Sequence, residues 1–317
     1  MTLPGLMRQR AQLNSCLREF FAARGVLEVC TPVLSQAGNS DPNIDSFSTT
    51  YHGPMRGGRA TRWLRTSPEF FHKRLLAAGC GDLFEIAPVF RDGECGSRHN
   101  PEFTLLEWYR VGFDHHQLMD EVESLLRALA AAFGRHLGAA ERLSYQQCYQ
   151  RYTGIDPLAA SREELLQALA GCSIDPEGLS RDDLLDLLRT HLIEAQWSDQ
   201  QFLFIHDFPA SQAALARIHA GDPRVAERFE LYLGRVELAN GYHELNDAAE
   251  QRQRFERDLA ERKRRGAVLP ALDELLLQAL PQMPDCAGVA LGVERLHQWL
   301  VGADSIEAVM PFGFAQA

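Results

Sequence analysis

The stretch LFEIAPVFRDGECGSRHNPEFTLLEWYRV, residues 83–111, decides how the chain folds. Two apolar runs, Leu83–Phe90 and Phe103–Val111, flank the polar loop Arg91–Asn100. That pattern predicts two strands paired as an antiparallel hairpin. Side chains two apart share a face of a strand, so Phe103, Leu105, Glu107 and Tyr109 project together. A buried carboxylate is expensive without a partner. This face is therefore either solvated, with Leu106 and Trp108 turned to the core, or the wall of a pocket. In the pocket reading Phe103 stacks a flat ring, while Glu107 and Tyr109 meet a cationic or amino group.

Two further segments carry chemistry. In RFELYLGRVELANGYHEL (228–245), a two-residue turn at Gly234-Arg235 fits a type II′ hairpin, with glycine at its first central position. That register pairs Leu233 with Val236 and sets Glu230 and Glu237 on one face as diagonal neighbours. Two carboxylates so close suit a Mg²⁺ ion shared with substrate phosphates. The competing reading is an acidic face satisfied by arginines such as Arg228 and Arg235. In GVALGVERLHQW (288–299), a helix starting near Val293 puts Arg295 in its first turn. The helix dipole disfavours a cation there, and a bound anion would offset that. A plain strand-to-helix connection explains the same residues.

Working outward, Leu13, Leu17, Phe20 and Phe21 follow helical spacing, Gly25 stops that helix, and Val26–Val29 reads as a strand. Residues 38–62 read as loops with short strands. Residues 115–200 read as mostly helical, with amphipathic stretches around 118–133, 162–170 and 182–194. Strands resume at Gln201–Asp207, at Arg228–Leu238 and at Gly288–Leu291, and a charged helix spans 247–265. Strands arriving in hairpins predict an α+β fold, an antiparallel sheet flanked by helices.

The 317 residues can bury a substantial core without disulfides or metals. No run is apolar enough to span a bilayer, and the amino terminus lacks a signal-peptide pattern. Seven scattered cysteines without a CxxC pair argue against a zinc site or a disulfide framework, and suit a reducing cytosol. A net charge of −11 disfavours a large polynucleotide partner, because nucleic-acid binding draws on lysine and arginine.

Together these segments resemble the catalytic core of the class II lysyl-tRNA synthetases. GVLEVCTPVL (25–34) is similar to motif 1, VFRDGECGSRHNPEFTLLEWY (89–109) to motif 2, GVALGVER (288–295) to motif 3, and ELANGYHELND (237–247) to the lysine-specific segment. The resemblance implies ATP and Mg²⁺ as cofactors. It implies that Arg91 holds the α-phosphate and Arg295 the γ-phosphate, with Arg98 and His99 at the outer phosphates. It further implies that Asn100 and Phe103 hold and stack the adenine, with Leu238 and Gly292 also against the nucleotide. Glu230 and Glu237 would bind Mg²⁺. Ser67 and Glu69 would meet the amino acid, Glu69 through its amino group, while Glu107, Tyr109, Asn240 and Glu244 line the pocket for its side-chain ammonium. The chain departs from the pattern at Gly93, which stands where motif 2 carries a glutamate, and at Ala290, which replaces a glycine beside the amino-acid pocket.

The resemblance implies one class II synthetase-like catalytic domain over residues 1–317, with a mainly helical insertion at about 115–200; an expected departure from the family is that the anticodon-binding domain is lacking. That organisation, with Ala290, is similar to synthetase paralogues that ligate (R)-β-lysine to a lysine of translation elongation factor P. The expectation is a cytoplasmic ligase, homodimeric through motif 1, acting on a lysine-type amino acid and on that factor, with tRNA and membranes unlikely partners. Rival expectations are a free-standing lysyl-tRNA synthetase core, an asparagine-synthetase-like paralogue, and a pseudo-synthetase without chemistry.

Overall fold

The computed structural model describes residues 2–55 and 57–317. In chain order the elements are α1 (Leu3–Ala22), β1 (Leu27–Glu28), β2 (Leu34–Ser35), β3 (Ser48–Thr50), β4 (Thr61–Leu64), α2 (Glu69–Ala77), β5 (Leu83–Phe90) and β6 (Glu102–Val111). There follow α3 (His115–Ala132), β7 (Glu141–Ser144), α4 (Tyr145–Thr153), α5 (Arg162–Ala168) and α6 (Arg181–Leu188). The last are β8 (Phe202–Pro209), β9 (Val225–Leu233), β10 (Val236–His243), α7 (Ala248–Arg264), α8 (Glu274–Ala279), β11 (Cys286–Gly292) and α9 (Val293–Val301).

Eight strands form one sheet in the order β1-β5-β6-β11-β10-β9-β8-β7. Its six inner strands pair antiparallel, as the hairpin reading requires, and β5 and β6 pair from Leu83↔Tyr109 to Phe90↔Glu102. The two edges differ from the expectation: β1 joins β5, and β7 joins β8, in parallel. The sheet is therefore mixed. β2, β4 and β3 make a separate small sheet within the stretch read as loops and short strands.

The main core lies between one sheet face and helices α1, α3 and α9. Leu13, Leu17 and Phe21 meet Leu118, Val122 and Leu125, with Trp108, Phe229 and Leu291 beneath. Helix α3 starts cleanly because Asp114 and Gln117 cap it reciprocally. Residues 115–200 thus divide in two. α3 belongs to the main core, while α4, α5 and α6 gather around Tyr145, Tyr149, Leu184 and Trp197. α4 and β7 escape a reading by leucine spacing: α4 buries tyrosines and a cysteine, and β7 has only four residues. All seven cysteines are free. Among the described residues no helix is long and apolar enough to cross a membrane.

Candidate active site

The sheet face away from α3 lines a cavity of about 970 Å³, and every site residue named from the sequence borders it. One local irregularity makes this possible. β10 pairs Glu237 with Tyr232 but Ala239 with Leu231, so Leu238 is an extra residue in the ladder. Leu238 and Ala239 both pack into the main core, and the alternation then restarts. Without this bulge Glu237 and Asn240, three apart, would face opposite sides. The turn before it has the expected form, with Gly234 at φ 59°.

At one end of the cavity the groups are cationic. Arg295 lies in the first turn of α9, as the sequence implied, and reaches back across the sheet. It donates to the Glu237 carbonyl at 2.7 Å and lies 2.9 Å from His99 Nε2. Burial and the Arg295 charge push the His99 pKa down, so the ring is neutral. Arg98 donates to the Arg235 carbonyl at 3.1 Å. Arg91 lies over the Phe103 ring, 5.0 Å from its centroid. Gly93 takes φ 81°, a left-handed turn that suits glycine. That turn carries Glu94 to the cavity wall, 3.7 Å from Arg91, so the acid displaced by one position still faces the site. Asn100 is more committed than the sequence implied. Its amide donates to Glu102 O and accepts from Phe314 N, which leaves one amide N–H and one lone pair uncommitted.

Glu230 and Glu237 share a face, but not a state. Arg189 lies 2.9 Å from Glu230, Arg228 bonds it from two residues away, and Tyr232 Oη donates to it. Arg189 comes from a π-helical turn after α6 and has no sequence signal pointing to Glu230. Arg235, the other arginine proposed from sequence, turns to the Trp197 and Ala195 carbonyls instead. Burial and the Glu230 charge raise the Glu237 pKa, against Arg295. A half-buried carboxylate in that condition is what a divalent cation would relieve, so the pair fits Mg²⁺ chiefly through Glu237. Leu238 and Gly292 contribute backbone; a Cβ on Gly292 would meet only ordinary contacts with Arg295.

At the opposite end the groups are acidic. Glu107 accepts from Ser67 Oγ at 2.7 Å and from Tyr109 Oη at 3.0 Å. Ala290 stands between Glu107 and Asn240 on the neighbouring strands. Asn240 in turn accepts from Arg228 at 3.2 Å. Gly288 faces Tyr109 across the ladder; a Cβ there would lie 2.3 Å from that ring and 2.5 Å from Glu244 Oε1, so only glycine admits both.

Five residues of this end were not read from the sequence. Lys73, on α2 and fully buried, lies 2.8 Å from Glu69 and 2.7 Å from Glu244. These contacts are close but poorly aligned for hydrogen bonding, so both acids keep capacity for a ligand. Burial pushes the Glu244 carboxyl up to about 8, with Lys73 opposing and Glu69 reinforcing the rise. Behind them His72 bridges Glu85 at 2.9 Å and Glu107 at 3.5 Å. Burial opposes charge on His72, but the two acids outweigh it and raise its pKa. Arg65 and Thr31 complete the Glu85 site; burial there is overcome by His72, Thr31 and Arg65, which hold the carboxyl at about 2. Thr31 ties motif 1 to the floor of the acidic pocket.

Comparison with known proteins agrees with this geometry. The profile of the tRNA synthetases class II (D, K and N) matches residues 3–316. The chain is 48% identical over 310 residues to an elongation factor P–(R)-β-lysine ligase of Mannheimia succiniciproducens, covering 97% of this chain and 94% of that one. It is 48% identical over 313 residues to the protein of the same name from Vibrio vulnificus, and 47% to that from Vibrio campbellii. In both cases the match covers 97% of this chain and 95% of the relative.

Proposed function

The chain belongs to the class II tRNA synthetases of the D, K and N type, and from that premise we propose that it is an ATP-dependent ligase joining (R)-β-lysine to a lysine of elongation factor P. The supporting observation is a single cavity that holds arginines at one end and a partly neutralised cluster of carboxylates at the other. A dicationic amino acid fits the acids, and a triphosphate fits the arginines. An aspartate substrate would require a cation where Glu107 and Glu244 stand.

In the first step a carboxylate oxygen of the amino acid attacks the α-phosphorus in line, and the bond to pyrophosphate breaks. Arg91 neutralises charge at the α-phosphate, and Arg295 with Arg98 grips the outer phosphates, so positioning and electrostatics supply the rate. His99, being neutral, adds a hydrogen bond without a charge. Phe103 presents its ring to the adenine. Mg²⁺, held by Glu237 with Glu230, would supply charge neutralisation at the phosphates. Glu69 orients the reacting end of the amino acid, while Glu107, Tyr109, Asn240 and Glu244 receive the side-chain ammonium. In the second step the ε-amine of the protein substrate attacks the adenylate carbonyl, AMP leaves, and an amide forms with loss of one proton from nitrogen.

A homodimer through motif 1 belongs to the same reading. Leu27 and Leu34, both within motif 1, are 51% and 49% exposed, and β1 is an open sheet edge.

ATP–pyrophosphate exchange with (R)-β-lysine, α-lysine and aspartate in parallel tests the first step. Exchange with aspartate alone would overturn the reading. Adding elongation factor P should then raise its mass by one lysyl unit; transfer to a tRNA 3′ end instead would assign the chain to aminoacylation.

A further inference from the structure

One cluster of ligand-type side chains lies outside the cavity. His115 and His116 open α3, while His206 and Asp207 lie near the end of β8. His206 pairs with Phe229, whose ring is in the core beneath α3, so the cluster is on the sheet face opposite the cavity. None of the four lines that cavity. We propose that His115, His116, His206 and Asp207 form a binding site for one divalent transition-metal ion of the zinc class.

The geometry is close to what such an ion needs. One donor atom from each residue can be chosen so that all four lie within 4.8 Å of one another. Asp207 Oδ1 is 3.1 Å from His115 Nε2, and Oδ2 is 2.9 Å from His206 Nδ1. Donors around a tetrahedral zinc, at about 2.0–2.1 Å from the metal, stand about 3.3 Å apart. Imidazole centroids around one zinc stand about 5 Å apart on the same bond length. Here they are separated by 4.1, 5.1 and 6.5 Å, which brackets that value. His116 is exposed, so its ring can rotate in, and the opening gives an ion access.

Two further features set this group apart from an ordinary surface cluster. His115 is 3% exposed, and its Nδ1 is buried without a hydrogen-bond partner. Asp207 is a non-glycine residue at φ 58°, held there by the irregularity in β8 that turns its carboxylate onto the two imidazoles. Three imidazoles with one carboxylate suit zinc, copper or nickel, whereas Mg²⁺ prefers oxygen alone. An ion here would tie the start of α3 to the end of β8. A second group, His115 with Glu227 and His243, adjoins the first through the shared imidazole.

The test is titration of chelator-stripped protein with Zn²⁺ by calorimetry, and with Co²⁺ by visible absorption. The expected result is one ion per chain, with the strong visible bands of tetrahedral Co²⁺ and a raised Tm. The double substitution H116A/H206A should weaken this binding at least tenfold. D207N should do the same while keeping a side chain that tolerates the left-handed conformation. Both variants should keep Mg²⁺-supported ATP–pyrophosphate exchange, which shows that they fold. Folded variants that bind Zn²⁺ as the parent does, or a parent that binds none, would overturn the proposal.

Discussion

The two ends of the cavity are built on different terms. At the arginine end, proposed for phosphate, Arg91 and Arg98 make few internal contacts, and their charge stays open to the cavity. At the acidic end nearly every charge has an internal partner: Lys73 for Glu69 and Glu244, His72 for Glu107, and Arg65 for Glu85. Cations tolerate a solvated wall, whereas three carboxylates in one buried pocket would repel one another unless the protein supplied part of the countercharge. Changes at the acidic end should therefore cost stability first, and changes at the phosphate end should cost activity alone.

The sharpest break of that contrast is K73M. It leaves Glu69 and Glu244 buried without their cation, and removing one partner of a buried pair costs about 3–5 kcal/mol. Thermal or urea unfolding should show this loss, and K73M/E244Q should recover part of it. An unchanged Tm in K73M would remove the contrast. Next comes R91A, expected to lower amino-acid-dependent exchange by roughly 10²–10³-fold, as for loss of one preorganised charge-stabilising group. Its Tm should stay near the parent's, because its ion pair to Glu94 is 3.7 Å long and half-exposed.

Substituting G288A drives a methyl against Tyr109 and Glu244, so about 1–3 kcal/mol of stability should be lost. KM for the amino acid should rise more than kcat falls. The smallest effect is in pH. With its folded pKa raised to about 8 from an ordinary 4.5, Glu244 penalises the free protein increasingly as pH rises from 4.5 to 8. A substrate ammonium prefers the ionised acid, so affinity for the amino acid should rise by up to about tenfold between pH 7 and 8, then level off. Calorimetry in buffers of different ionisation enthalpy should show proton release on binding below pH 8, and E244Q should abolish it.

Much of this was legible in the sequence because it is encoded locally. Alternation in 83–111, the glycine turn at 234 and the glycine before Val293 each specify backbone geometry within a few residues. The motif residues could then be carried over one by one into a shared cavity. Where the sequence left two readings open, the fold chose. The face bearing Phe103, Glu107 and Tyr109 is a pocket wall. Glu230 takes arginines and a tyrosine, whereas Glu237 has no such side-chain partners among the described residues.

What only the tertiary structure decided depends on partners distant in sequence. Lys73 meets Glu244, and Arg189 meets Glu230, across separations that no periodicity records. The extra residue at Leu238 is invisible in an apolar run, yet it turns Asn240 toward the cavity. The parallel edges escaped notice because β1 has two residues and β7 four, too short to show alternation. Local pattern fixes the type of each element and the face its residues share. Charge compensation inside a buried pocket is settled only when the whole sheet has brought its acids and cations together.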